Sequence, residues 1–185
     1  IITSAFGNNY SNEDITVYPQ NVFDGDGDPV KTIPAWSLNG TPIAVLIMPF
    51  ERSGTQNATD YSGFGNNGIV YNATWNATGG MDGKGCYYFD GTDASISVPE
   101  SPSLDVTNQV TVSAWVRPYG ANFSYFDGIV AKDDEGNRPE YFLLGYPNST
   151  RLRGGFNDPG GSEFVVDSTV NIPSNAWTHA VFTFD

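Results

Sequence analysis

The residues able to do chemistry are few, and their spacing argues mostly against catalysis. Asp24-Gly-Asp-Gly-Asp28 sets carboxylates at alternate positions, like the opening of an EF-hand calcium loop. That loop needs glycine at its sixth position and a bidentate glutamate at its twelfth. Pro29 and Ala35 stand at those places. The segment therefore reads as a solvated acidic turn or a looser calcium turn, not an EF-hand. Glycoside hydrolysis needs two carboxylates about 5–9 Å apart across the scissile bond. On a strand, that means acids two positions apart on one face. The six glutamates (Glu13, Glu51, Glu100, Glu135, Glu140, Glu163) show no such pattern, and Glu135 and Glu140 are separated by Pro139. His179 is the sole histidine and lies beside Trp177 in a strand-like run, where packing is its expected role. A Ser-His-Asp arrangement would want a serine on a Gly-X-Ser-X-Gly turn, which is absent. Cys86 sits in Gly-Cys-Tyr-Tyr-Phe with nothing adjacent to stabilise a thiolate, so it reads as a small buried hydrophobe. No enzyme is expected.

Binding and modification are better supported. Asn-X-Ser/Thr tripeptides fall at Asn9, Asn39, Asn57, Asn72, Asn76, Asn122 and Asn148; chance would give about three. They predict N-linked glycans on an exported, extracellular or cell-surface protein. Tyr119, Phe123, Tyr125 and Phe126 share one loop after Pro118. Such a cluster can stack sugar rings, close the end of a sandwich, or meet a partner subunit.

Charge narrows the partners. The 185 residues hold 21 acids against 8 bases, a formal net charge of −13. Nucleic acid and anionic membranes would be repelled. The longest apolar run, Ile43–Phe50, is too short to span a bilayer.

The elements that must position these residues are strands. Helical periodicity is nearly absent, while period-two alternation recurs. In Val110–Val116, Val110, Val112, Ala114 and Val116 share one face, and Thr111, Ser113 and Trp115 share the other. Further strands are predicted at 43–50, 68–71, 85–90, 94–98, 128–132, 140–146, 151–156, 162–167 and 177–184. Turn clusters such as Ser62-Gly-Phe-Gly-Asn-Asn-Gly68 and Asn157-Asp-Pro-Gly-Gly161 separate them. Many short strands at regular spacing make an all-β sandwich or barrel. A boundary falls near residue 42: residues 1–42 are polar, acidic and too few for a core of their own, and residues 43–185 form the main domain.

Within that main domain, several motifs follow in a distinctive order. They include Met48-Pro-Phe-Glu51, Asp60-Tyr-Ser-Gly-Phe-Gly-Asn-Asn-Gly68, Phe89-Asp-Gly-Thr-Asp93, Val110-Thr-Val-Ser-Ala-Trp-Val-Arg-Pro118, Ile129-Val-Ala-Lys132 and Trp177-Thr-His-Ala-Val-Phe-Thr-Phe-Asp185. From Met48 on, the chain resembles the laminin-G-type, concanavalin A-like domain of microbial surface proteins. Residues 1–42 resemble the tail of an immunoglobulin-like or PKD-like repeat, or a donor segment or linker. The resemblance implies an antiparallel two-sheet jelly roll. It also implies a structural calcium site drawing on Asp60, Asn66, Asp90 and Asp185. The family continues through more strands after the last motif, so those strands are expected in a further tail or from a neighbour. The functional expectation is a non-catalytic extracellular glycoprotein module for adhesion or structural assembly, associating with itself, with neighbouring surface-protein domains or with carbohydrate. The alternative is a carbohydrate-binding module attached to a polysaccharide-active enzyme.

Overall fold

The computed structural model describes residues 2–4, 7, 13–27, 30–52, 57–120, 123, 127–133, 139–158 and 160–185. At the N-terminal end, β1 (Ile2–Ser4) pairs antiparallel with β2 (Ile15–Val17), and β3 (Ser37–Leu38) with β4 (Thr41–Pro42). Asn39 and Gly40 join β3 to β4 with φ of 51° and 84°. Positive φ at both central residues is the Asn-Gly hairpin turn that suits strand twist. Ile2, Ile15, Phe23 and Leu38 all remain exposed, so the described residues of this segment build no core of their own. It is tied to the main domain by Lys31, whose Nζ donates to the Glu51 carbonyl at 2.7 Å and meets the Glu51 carboxylate at 3.0 Å.

Next come β5 (Asn57–Ala58), β6 (Gly68–Tyr71), β7 (Thr74–Asn76), β8 (Cys86–Tyr88) and β9 (Ser95–Ser97). β6 lies between β5 and β9, while β7 pairs with β8, all antiparallel. After a 3-10 turn at Pro102–Leu104 come β10 (Val110–Val116), β11 (Gly128–Asp133), β12 (Pro139–Gly145), β13 (Leu152–Asn157), β14 (Glu163–Asp167) and β15 (Thr178–Phe184). β11 to β14 form an antiparallel meander in chain order, and β10 pairs with β15 from Val110↔Phe184 to Val116↔Thr178. The fold is all-β and antiparallel, as the alternation predicted. No helix among the described residues is long and apolar enough to cross a membrane.

The core lies between the β10–β15 pair and the meander. Val112, Ala180 and Phe182 from the pair meet Tyr141, Leu143, Leu152 and Phe156 from β12 and β13, with Ile172 closing one side. Gly154 on β13 lets the layers approach, and Gly155 makes room for a ring from the neighbouring strand. A Cβ on Gly154 would lie 2.3 Å from the Phe182 ring, and one on Gly155 would lie 2.2 Å from the ring of Phe142, its cross-strand partner. The strand carries no side chain there because an aromatic ring covers each face. Gly154→Ala will therefore overpack the core and destabilise the fold by about 1–3 kcal/mol, measured by urea unfolding.

One predicted strand is not formed. Residues 43–50 run as irregular chain, although Ala44 to Phe50 are half-buried. Side chains and loop backbone, not a ladder, satisfy their polar groups. The Asp60 carboxylate accepts from Ile47 N–H, the Val45 carbonyl accepts from Ser62 and Asn66, and the Phe50 carbonyl accepts from Trp75 Nε1. Phe50 ends the run at φ 58°, outside the range of a strand.

Candidate functional site

The alternation of β10 and β15 turns their apolar residues inward and leaves an outer face of Thr111, Ser113 and Trp115 beside His179, Val181 and Thr183. Trp115 and His179 are directly opposed, and their rings stack at 4.9 Å with planes 22° apart. Ser113 Oγ and His179 Nε2 lie 2.8 Å apart, and the Thr111 and Thr183 hydroxyls 3.3 Å. Trp115 is nevertheless 47% exposed. An indole face flanked by an imidazole and hydroxyls can stack on an apolar ring face and hydrogen-bond the polar groups at its rim. The Ser113–His179 contact is a hydrogen bond that joins β10 to β15 on this face. Among the described residues the imidazole's side-chain hydrogen bond is to Ser113 Oγ, and no carboxylate bonds it. Sequence reasoning assigned His179 to packing. Its link to Ser113 spans 66 residues, and no local pattern announces it.

Asp60 lies at the centre of a second cluster. Its Oδ1 accepts from Ile47 N–H (2.9 Å) and Ser62 N–H (2.8 Å), and its Oδ2 from Ser62 Oγ–H (2.7 Å) and Asn66 N–H (2.9 Å). Asn66 Nδ2 donates to the Val45 carbonyl and to Ser103 Oγ, both at 2.8 Å, and Asp60 N–H donates to Asn67 Oδ1 at 2.9 Å. Burial works to raise the Asp60 pKa, but these hydrogen bonds together hold it below the usual carboxylate value. Sequence reasoning placed Asp60 and Asn66 together, and the structure does bring them together. Their chemistry differs from that expectation, however. Four hydrogens converge on the carboxylate where a calcium ion would need open lone pairs, so the arrangement does not fit a cation ligand. Asp90 sits elsewhere, in an exposed turn, with Oδ1 accepting from the N–H groups of Thr92 (2.9 Å), Asp93 and Ala94 (3.4 Å each). The Thr92 bond first, then the others, lower its pKa. Asp185 follows β15. Among the described residues no three His, Cys, Asp or Glu side chains converge as a metal group.

The other candidates separate in the same way. Asp24 Oδ1 accepts from Asp26 N–H at 3.0 Å, and Gly27 N–H reaches the Asp24 carbonyl, an exposed Asx turn; Asp28 lies outside the described residues. Tyr119 is exposed, packs edge-on against Tyr88 at 5.7 Å, and carries the Arg117 guanidinium 5.5 Å from its ring centre. Phe123 instead turns inward: it packs against the core, its ring covers Gly145, and its backbone bonds Asn148 and Ser149. Tyr125 and Phe126 lie outside the described residues, as do the sequons' Asn9 and Asn122. Asn39, Asn57, Asn72, Asn76 and Asn148 are all exposed. Cys86 is half-buried, and burial raises its thiol pKa, consistent with an unreactive side chain.

Residues 90–185, just over half of the chain, match the profile of a laminin G family described as the concanavalin A-like lectin/glucanases superfamily. No curated protein and no solved structure gives a match. The matched stretch holds β10 to β15, the core between them and the Trp115–His179 face. A fold of this kind is compatible with carbohydrate or protein binding. The chain belongs to the concanavalin A-like lectin/glucanase superfamily, in its laminin G branch.

Proposed function

We propose that this chain is a non-catalytic extracellular recognition module, part of a glycosylated surface protein, that serves adhesion by binding a saccharide on the outer face of β10 and β15. The observation that carries this reading is the exposed indole of Trp115, braced by His179, with hydroxyls arrayed along the same face. The exposure of all five described sequon asparagines supports the glycoprotein assignment.

Titration of the folded chain with neutral polysaccharides, followed by tryptophan fluorescence, tests the reading. Trp115→Ala should weaken saccharide binding by about five- to thirtyfold, since aromatic stacking at a recognition site contributes on the order of 1–2 kcal/mol. Circular dichroism should stay unchanged, because the side chain lies outside the core. Binding that is indifferent to Trp115 would sink the assignment.

A second reading, assembly with neighbouring domains, has its own observation. On β14, Phe164, Val165 and Val166 are 46%, 48% and 56% exposed, so both faces of that strand carry uncovered apolar surface. Edge strands of this kind are sites of strand pairing. Assembly would appear as a concentration-dependent sedimentation coefficient that Val165→Lys abolishes.

A further inference from the structure

We propose that an N-glycan on Asn57 folds back onto the β5–β6–β9 sheet and seats the C–H faces of its first sugars on Ile69 and Tyr71. The presence of the glycan rests on the glycoprotein reading proposed above; the seat itself rests on strand register. β6 is the central strand of this sheet, with β5 on one side and β9 on the other. Ala58, Gly68, Val70 and Ile96 are paired across it and are buried or half-buried, so they form its inner face. The outer face holds Asn57, Ile69, Tyr71, Ser95 and Ser97, all exposed. A sheet with one face in water is expected to be polar there. β9 obeys with its two serines, but β6 presents Ile69 at 39% exposure and Tyr71 at 49%.

Two large apolar side chains side by side on a solvent face suit a cover, and the register places one beside them. Asn57 is directly opposite Ile69, and Tyr71 is on the diagonal. Such neighbours have Cβ atoms about 4.5–5.5 Å and roughly 7–8 Å apart. Asn57 opens the sequon Asn57-Ala58-Thr59, and a sugar joined at its Nδ2 starts within reach of both side chains. A pyranose ring offers an apolar C–H face to the phenol ring and carries its hydroxyls at the edge. Ser97 and Ser95 lie opposite Ile69 and Tyr71 on the far side of β6. Their hydroxyls border the apolar pair where the sugar's own hydroxyls would fall, and each can donate or accept. Asn76, another sequon asparagine on a strand, faces Cys86 instead.

The experiment uses the chain glycosylated by its natural host, with sequon occupancy mapped by mass spectrometry of its peptides. Asn57 should be occupied, and nuclear Overhauser contacts should join the Tyr71 ring to protons of the first sugars. Asn57→Gln should erase those contacts and lower the melting temperature by about 2–4 °C, the shift that one contact of ordinary strength makes in a chain of this size. In a Tyr71→Ser background the same substitution should move it by less than about 1 °C, because the two side chains share one interaction. A glycan that acts only by hindering the unfolded chain would keep its full effect in that background, which overturns the seat. Thr74→Ala, which silences the neighbouring Asn72 sequon, should leave the Tyr71 contacts in place; their loss would assign the contact to the wrong glycan. An empty Asn57 beside occupied sequons elsewhere overturns this seat alone, whereas a chain with no occupied sequon overturns the glycoprotein reading as well. If Asn57→Gln changes nothing and Tyr71→Ser dissociates a dimer, the face belongs to a second copy and the seat falls.

Discussion

Asp60→Ala will lower the stability of the domain by roughly 3–5 kcal/mol at neutral pH, a large part of the ~5–15 kcal/mol typical of a native domain. The carboxylate accepts four hydrogen bonds from Ile47, Ser62 and Asn66. Bonds to a charged group contribute about 1.5–3 kcal/mol each and are not additive, and the donors left behind would be largely shielded from water. Asp60→Asn is nearly the same size, yet it should be almost as damaging. One carboxylate oxygen becomes an NH2 group facing N–H donors. The effect depends on pH. Asp60 titrates below the ordinary value of about 3.9 in the folded chain, so its contribution is complete above pH ~4 and is lost as pH falls through the depressed folded value. Urea midpoints of wild type and Asp60→Ala should therefore lie far apart at pH 7 and converge in acid. An unchanged gap at pH 3 would show that the residue acts through its bulk rather than its charge.

Phe156→Ala will cost a comparable amount, about 3–5 kcal/mol. Phe156 is 1% exposed and stacks on Phe184 at 4.3 Å, within the cluster that joins the two sheets. Its removal opens a cavity that the glycine pair beside it on β13 cannot fill, since neither has a side chain to move in. The loss should appear as a lowered urea midpoint with an unchanged slope. Val165→Ala, on the exposed β14, should change the stability by less than about 0.5 kcal/mol.

Much of the framework was legible because strand period and burial coincide there. β6 and β10 fall at their predicted bounds and β15 within one residue, since each runs with one face buried. Residues 43–50 misled for a physical reason: an apolar run signals burial, not the ladder that usually accompanies it. The partners that satisfy its backbone lie on the following loop, and their hydrogen bonds leave no periodic trace. β7 was missed because Thr74-Trp-Asn76 is too short to alternate visibly. The site was less legible than the fold. Asp60 and Asn66 stood out as a loop motif, yet their role as acceptor and brace depends on donors from Ile47 and Ser103. Ser113 with His179, and Asn57 with Ile69, meet only once strands distant in sequence, or joined across a loop, are paired.

The left-handed turns bear on how glycosylation is to be probed. Asn39, Asn72 and Asn148 sit at φ of 51°, 52° and 56°, and each also opens a sequon. Asparagine tolerates this conformation; most other side chains pay roughly 1–2 kcal/mol for it. The customary Asn→Gln substitution would thus confound loss of a sugar with distortion of a turn. Thr41→Ala, Thr74→Ala and Thr150→Ala remove the acceptor signal while leaving each turn its asparagine. A difference between the two sets of variants would measure the strain alone.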